Sequence, residues 1–263
     1  TMLWIGGQVT ALGIMKTLFL PSVVAAFIPL AITAWLLRGQ AVNAPAQRTG
    51  STSKSAAFEG NLMFTLGLGI LVLVPVFKTV TGLPPFMGIL LGLGVLWVVG
   101  DFLHKSKVEE DKAHLTLAHA MSRIDLSSLT FFIGILLSVA VLEHAHILSD
   151  LAQWLNDKVG RLDLIVLLIG FASAVVDNVP LVAASMGMYS MTDYPPDSFL
   201  WEFIAFCAGT GGSMLIIGSA AGVAAMGLEK INFFWYVKRI SGLALAGYLA
   251  GALVYVVQFN LMS

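Results

Sequence analysis

Charge is what this sequence has least of. Asp, Glu, Lys and Arg make up only 11% of its 263 residues, while 58% are hydrophobic; a soluble domain carries about 25% charged residues. So little charge cannot clothe a water-facing surface, and an integral membrane protein is expected. Cysteine is scarcer still. Cys207 stands alone, which excludes an internal disulfide and any multi-cysteine metal site; in its apolar run it reads as a packed thiol. Neither sign of charge dominates. The net charge of −1 argues against a polyanionic partner, nucleic acid included. Alternating ~10-residue strands of an outer-membrane barrel are missing, and the apolar runs approach the ~20 residues of a bilayer helix. The opening Thr1-Met2-Leu3 does not read as a signal peptide, with no basic region before a short apolar core. The lack of Met at position 1 is read as a hint that something precedes it.

What is present is a series of apolar spans. Residues 1–15 are apolar but short, with Gly6, Gly7 and Gly13, and look like the end of a membrane helix. Residues 18–37 form the first full span, with Pro21 and Pro29 inside. Residues 38–58 have linker composition. Spans over 62–77 and 86–103 are joined by the turn Thr81-Gly82-Leu83-Pro84-Pro85, and a fourth covers 126–142. The charged stretch 104–125 carries a weak apolar stripe (Leu115, Leu117, Ala118, Met121), as in a helix lying on the membrane surface. Residues 143–160 are a second interfacial stretch, and 231–259 the last span, with Lys238 and Arg239 near its start.

The chain is organised around 162–191, which holds Asp177 in an otherwise apolar run, with no Lys or Arg from Leu162 through Tyr189. An aspartate at mid-bilayer depth costs roughly 2.5–3.5 kcal/mol on an insertion scale. Asn178 adds a second polar group, and Pro180 removes a donor and disfavours helical geometry before it. As one straight helix, these residues would run about 45 Å across a hydrocarbon core about 30 Å thick. Folding back at Asp177-Asn178 makes a re-entrant hairpin instead, with its tip near mid-depth. Charge bias favours the hairpin. Segments 38–58 and 104–125 hold seven of the fourteen Lys and Arg residues, which places them in the cytoplasm. A full crossing would then put the acidic loop 190–200 on the cytoplasmic side. A hairpin keeps that loop outside and delivers Lys230, Lys238 and Arg239 to the cytoplasm.

A second polar interruption, Gly209 to Ser213 (GTGGS), breaks the long apolar segment 200–228, and Ser219 follows. Each glycine weakens a helix by about 1 kcal/mol relative to Ala and bares its backbone. Discontinuous helices of this kind build midplane sites, where unwound carbonyls coordinate the cation. A hard cation such as Na⁺ or Li⁺ wants oxygen ligands, and Asp177, Asn178, Thr210, Ser213 and bare carbonyls supply them. Against this, Gly-rich membrane helices often only pack closely, and Ser173 or Ser219 taken singly reads as a hydroxyl bonded to its own helix. Two interruptions, one bearing a carboxylate, favour a site. The remaining ionisable groups have plainer readings. Glu143, His144, Asp101 and His104 lie at span ends, Asp125 and Asp163 read as helix caps, and His114, His119 and His146 belong to interfacial loops.

The stretches VVDNVPLVAASMGMY (175–189), CAGTGGSMLIIGSAAGVAAMGLEKI (207–231), FFIGILLSVAVLE (131–143) and FWYVKRISGLALAGYLAG (234–251) resemble the second-half signatures of NhaD-type sodium/proton antiporters of the ion transporter superfamily. The resemblance runs over essentially the whole chain. It implies an all-α membrane protein of inverted-topology repeats, each with a re-entrant hairpin and a broken helix meeting at the substrate site. The chain would hold one such repeat, 61–263, with its hairpin at 162–191 and broken helix at 200–228. A cytoplasmic linker (38–60) and the tail of the preceding repeat (1–37) come before it. Asp177 and Asn178 then match the hairpin tip with Ser173 one turn before, and Thr210, Gly211, Ser213 and Ser219 match the broken helix. The first hairpin is absent, so an N-terminal half of the same transporter is the expected partner, beside the lipid bilayer; a homodimer is left open.

The expected activity is exchange of Na⁺ or Li⁺ for H⁺ across a cell's inner (plasma) membrane, with no cofactor and no enzymatic step. Asp177 would bind either the metal cation or the proton, with Asn178, Thr210 and Ser213 as neutral oxygen ligands. A sodium-coupled dicarboxylate or other anion carrier ranks second, because a carboxylate at the tip opposes an anionic substrate. A non-transporting membrane subunit is a third reading. An intramembrane aspartyl hydrolase needs two carboxylates sharing a site, and no mid-membrane partner for Asp177 is apparent.

Overall fold

The computed structural model describes residues 2–39, 54–103, 105, 117–122 and 126–262. The described residues are helices and their connections, as expected of an all-α membrane protein. The chain divides into two compact units: residues 1–40 with 130–263, and residues 41–129.

The smaller unit is built on two apolar helices, α3 (Lys54–Thr81) and α4 (Pro85–Leu103). They reverse at Gly82, whose φ of +69° is the left-handed geometry of a helix C-terminus. The Gly82 amide donates to Lys78 O at 2.9 Å. Gly88 and Gly92 of α4 leave room for Phe77 and Ile70 of α3, the small-residue packing membrane helices rely on without a hydrophobic driving force. A short helix, α5 (Leu117–Ser122), follows and holds Leu117, Ala118 and Met121 of the expected stripe; Leu115 lies outside the described residues. α3 begins at Lys54, inside the expected linker, because Ser-Ala-Ala-Phe-Glu is a good helix former.

The larger unit opens with a short helix, α1 (Met2–Ile5), and a long one, α2 (Ala11–Leu36). Residues 1–15 are thus not the end of one helix. Gly7, at φ +86°, turns the chain, and the Thr10 hydroxyl caps α2 by accepting from Gly13 N at 3.0 Å. Next come α6 (Leu126–His144), α7 (Ile147–Val159), α8 (Leu162–Ala172), α9 (Asn178–Met188) and α10 (Phe199–Gly211). A 3₁₀ turn at Ile216–Gly218 leads to α11 (Ala220–Leu228), α12 (Phe233–Arg239) and α13 (Ser241–Met262). The last span is therefore two helices rather than one. Asn232 caps α12 through bonds from Phe234 N and Trp235 N, and Lys238 and Arg239 close it, where cations suit the negative end of a helix.

α10 is the centre of this unit. Leu200, Trp201, Phe203, Ile204 and Cys207 are all fully buried, the mark of a helix enclosed on every side. It is packed by α8, α9, α13 and α2. α13 lies along α2, and its Gly247 and Gly251 approach Ala25 O and Pro21 O so closely that a Cβ would not fit. Proline inside α2 frees carbonyls four residues earlier. The one freed by Pro21, Thr17 O, accepts from Gln258 Nε2 of α13 at 3.0 Å, a neighbouring helix satisfying a broken one.

Four described helices are long and apolar enough to cross a bilayer: Ala11–Leu36, Phe58–Thr81, Pro85–Leu103 and Ser241–Leu261. α8, α9 and α10 are apolar but shorter.

Candidate functional site

Both expected interruptions are present, and they meet. α8 ends at Ala172 and the chain turns over residues 173–177, with Val175 N and Val176 N both bonded to Ala172 O at 3.0 and 2.9 Å. Asp177, at φ −51° and ψ 143°, has left the helical region, and α9 starts at Asn178. Pro180 does not break a helix here. It occupies the first turn of α9, where an amide has no helical partner to lose, and Val179 before it is helical. The cavity beside Tyr189 is lined by Leu162 and Ile165, from the start of α8, and by Met186 and Met188, from the end of α9. That cavity, about 630 Å³, also gathers Gln8, Glu143, Gln153, Asn156 and Asp193. At its edge Arg161 Nη2 donates to Asp163 Oδ2 at 2.6 Å, and this hydrogen bond holds the Asp163 carboxyl below the usual carboxylate range.

The second interruption begins where α10 stops at Gly211. Residues 212–215 are turn and bend, and Ser219 caps α11 by accepting from Gly222 N at 3.1 Å. The two breaks lock through small residues. Ser173, fully buried, donates from Oγ to Ala208 O at 2.9 Å. Gly211 sits on the Gly170 carbonyl, where a Cβ would collide, and such a Cβ would stand 3.2 Å from Ser173 Cβ. A Cβ on Gly218 would lie 2.6 Å from both Ser173 O and Ala174 O. Gly218 is therefore part of the crossing.

The expected site residues fall into three groups. Ser173 and Gly211 are in direct contact at the crossing. Thr210 and Ser213 share a cavity of about 370 Å³ with Ser22, Thr33 and Tyr248. Their hydroxyl protons go to backbone carbonyls, Thr210 Oγ1 to Phe206 O and Ser213 Oγ to Thr210 O, both at 2.6 Å, leaving lone pairs free to face a cation. The Ser213 carbonyl in turn accepts from Tyr236 Oη of α12 at 2.8 Å. Asp177 and Asn178 form the third group, half-buried at the head of α9, where Asp177 makes no side-chain capping bond. Among the described residues no hydrogen bond joins them to Thr210 or Ser213. Ser219 serves as a local cap.

One buried acid escaped the sequence reading. Glu202 of α10 is 2% exposed, and its Oε2 accepts from Tyr255 Oη at 3.0 Å. The signal was there, an acid four positions after Ser198 at the head of an apolar run, but it resembled an ordinary helix start.

Long apolar helices, short interlocked ones and a buried crossing of two broken segments are the architecture of a multi-pass membrane protein. Comparison with known proteins names the family. A family model described as "Citrate transporter" (CitMHS) matches residues 2–202. The chain is 54% identical to sodium/proton antiporter 1 of Arabidopsis thaliana, over 99% of this chain and 45% of that protein. It is 48% identical to sodium/proton antiporter 2 of the same plant, over 99% of this chain and 62% of that one. It is 29% identical to the Na⁺/H⁺ antiporter NhaD of Vibrio parahaemolyticus, over 93% of this chain and 62% of the relative. No solved structure matches. The chain belongs to the CitMHS family, in the company of NhaD-type sodium/proton antiporters, and spans between 45% and 62% of the length of these relatives.

Proposed function

We propose that this chain is the ion-handling repeat of a secondary transporter that exchanges Na⁺ or Li⁺ for H⁺ across an inner membrane, working with an N-terminal half supplied by the remainder of the protein. The observation that carries the proposal is the crossing of the 173–177 turn with the broken helix at 211–219, where Ser173 Oγ donates to Ala208 O and Gly211 and Gly218 lie against the carbonyls of Gly170, Ser173 and Ala174. The names of the antiporter relatives support the choice of ions. The cavity shared by the start of α8 and the end of α9 supports a re-entrant hairpin with its tip at Asp177.

In this proposal Asp177 binds either the metal cation or the proton, and loading one expels the other. Asn178, Thr210 and Ser213 offer neutral oxygens. Rocking of one bundle against another exposes the site to each side in turn. An anionic substrate such as citrate is disfavoured, because the tip presents a carboxylate.

The test is proton movement in inside-out vesicles that hold a respiration-driven pH gradient and contain the intact protein. Addition of Na⁺ or Li⁺ is expected to collapse the gradient, and Asp177→Asn to abolish the response. Sodium-dependent uptake of labelled citrate with no cation-driven proton movement would overturn the exchange proposal. Normal exchange in Asp177→Asn would overturn the role given to Asp177.

A further inference from the structure

Glu202 lies away from the crossing. It is nine residues before Gly211 on α10, roughly 13 Å along the helix axis at 1.5 Å per residue. It therefore takes no direct part in the competition at Asp177, and its surroundings are of a different kind. Its carboxyl is enclosed by α10, α13 and α2. Among the described residues no Lys, Arg or His pairs with it. Tyr255, itself buried, donates to Oε2, and Phe199 O is a longer alternative acceptor for the same phenol at 3.3 Å.

The carboxyl's other side-chain hydrogen-bonding neighbour is Thr17 of α2. A threonine hydroxyl has one proton to give, and that of Thr17 goes to Gly13 O at 2.9 Å. Gly13 O and Glu202 thus compete for that one proton. Gln258, bonded to Thr17 O through Nε2, holds its Oε1 buried without a partner. The carboxyl is thus buried with one phenol donor at Oε2 and no cation beside it, a setting that favours the neutral acid. An ionised carboxylate in the same place would be a buried ion without a counter-ion, at an effective penalty of several kcal/mol. The charged and titratable groups around it do not relieve this. Asp197, in the loop before α10, has the same sign; Lys16 of α2 is exposed; Asp163 of α8 is taken by Arg161; and α9 carries none.

We infer that Glu202 is a second proton-binding site, a carboxyl that holds a proton beside Tyr255 and releases it when α10, α2 and α13 separate. On release the O–H bond breaks, the proton passes to water admitted between the helices, and a carboxylate stays behind. The release sets the pH at which the molecule can change state. That role in exchange rests on the function proposed above; the bound proton does not.

The experiment has two readouts on the intact purified protein. In infrared spectra at neutral pH, a protonated-carboxyl C=O band is expected in the wild type and absent in Glu202→Gln. In Tyr255→Phe, which keeps the acid but removes the donor to Oε2, the band is expected to move to higher frequency. In vesicles, the pH midpoint of Na⁺-driven exchange is expected to shift by about one unit in Glu202→Gln, since such profiles report essential acids and bases, and to return partway in Glu202→Asp. Superimposable infrared spectra for wild type and Glu202→Gln would overturn the proton site. If Glu202→Gln does not fold, a band unmoved by Tyr255→Phe overturns it instead. Superimposable pH profiles would overturn its part in exchange. A wild type that shows the band but no Na⁺ response would overturn the exchange proposal and leave the proton site standing.

Discussion

Asp197 holds Thr10 twice across 187 residues: Oδ1 accepts from the Thr10 amide at 2.6 Å and Oδ2 from its hydroxyl at 2.7 Å. The loop between α9 and α10 thereby caps the start of α2, and Gly13 leaves the space in which the carboxylate sits. Asp197 N donates back to Gln8 O at 2.9 Å. Capping by a charged side chain contributes about 1–2 kcal/mol. Asp197→Ala is expected to lower the unfolding midpoint in detergent, and Asp197→Asn, which keeps one acceptor, to lower it less. Equal midpoints for Asp197→Ala and wild type would show that the cap contributes nothing.

The glycines of the second interruption are not equivalent, and this separates packing from mere flexibility. Gly211 faces the Gly170 carbonyl near the end of α8 and Gly218 the Ser173 and Ala174 carbonyls of the first interruption, whereas nothing lies within 4 Å of a Cβ built on Gly209. Gly211→Ala and Gly218→Ala are expected to destabilise by 1–3 kcal/mol or more, about the cost of overpacking, and to lose exchange. Gly209→Ala is expected to be tolerated and to gain up to about 1 kcal/mol of helix propensity. A thermal-shift comparison of the three purified variants decides it; equal losses in all three would refute the crossing.

Ser173→Ala removes the hydroxyl that satisfies Ala208 O. An unmet buried acceptor costs about 1–3 kcal/mol, so a lower melting temperature is expected with the crossing otherwise intact. Unfolding at the wild-type temperature would mean that Ala208 O has another donor.

Gln258 and Pro21 form a testable pair. Gln258→Leu strands Thr17 O, at about 1–3 kcal/mol. In a Pro21→Ala background residue 21 regains its amide and can satisfy Thr17 O itself, so the same substitution should cost less. A double-mutant cycle in denaturant measures the coupling; strict additivity would show that Gln258 has no such role.

The helix breaks were legible in sequence where chemistry conflicted with setting. Asp177 in an apolar run and glycines around Thr210 are both anomalies, and each marked a real break at the right place. What escaped was whatever depended on partners distant in the chain. Glu202 looks like an ordinary first-turn acid until Tyr255 and Thr17 close over it. Asp197 looks like a loop charge until Thr10 arrives. Pro180 was misjudged for a local reason, since the same residue that ends one helix also starts the next. The final span reads as one helix in sequence because Ile240 carries no hint of a stop, yet α12 ends at Arg239 and α13 begins at Ser241.

The bond from Tyr236 to the Ser213 carbonyl gives the broken helix a handle outside itself. α12 is short, ends in Lys238 and Arg239, and leaves Phe234 and Trp235 exposed. It is a float whose tether runs inward to the break. Any displacement of Ser213 that exceeds the slack of one hydrogen bond must either drag the float or snap the tether. The indole of Trp235, already in place, is a natural gauge for which of the two occurs.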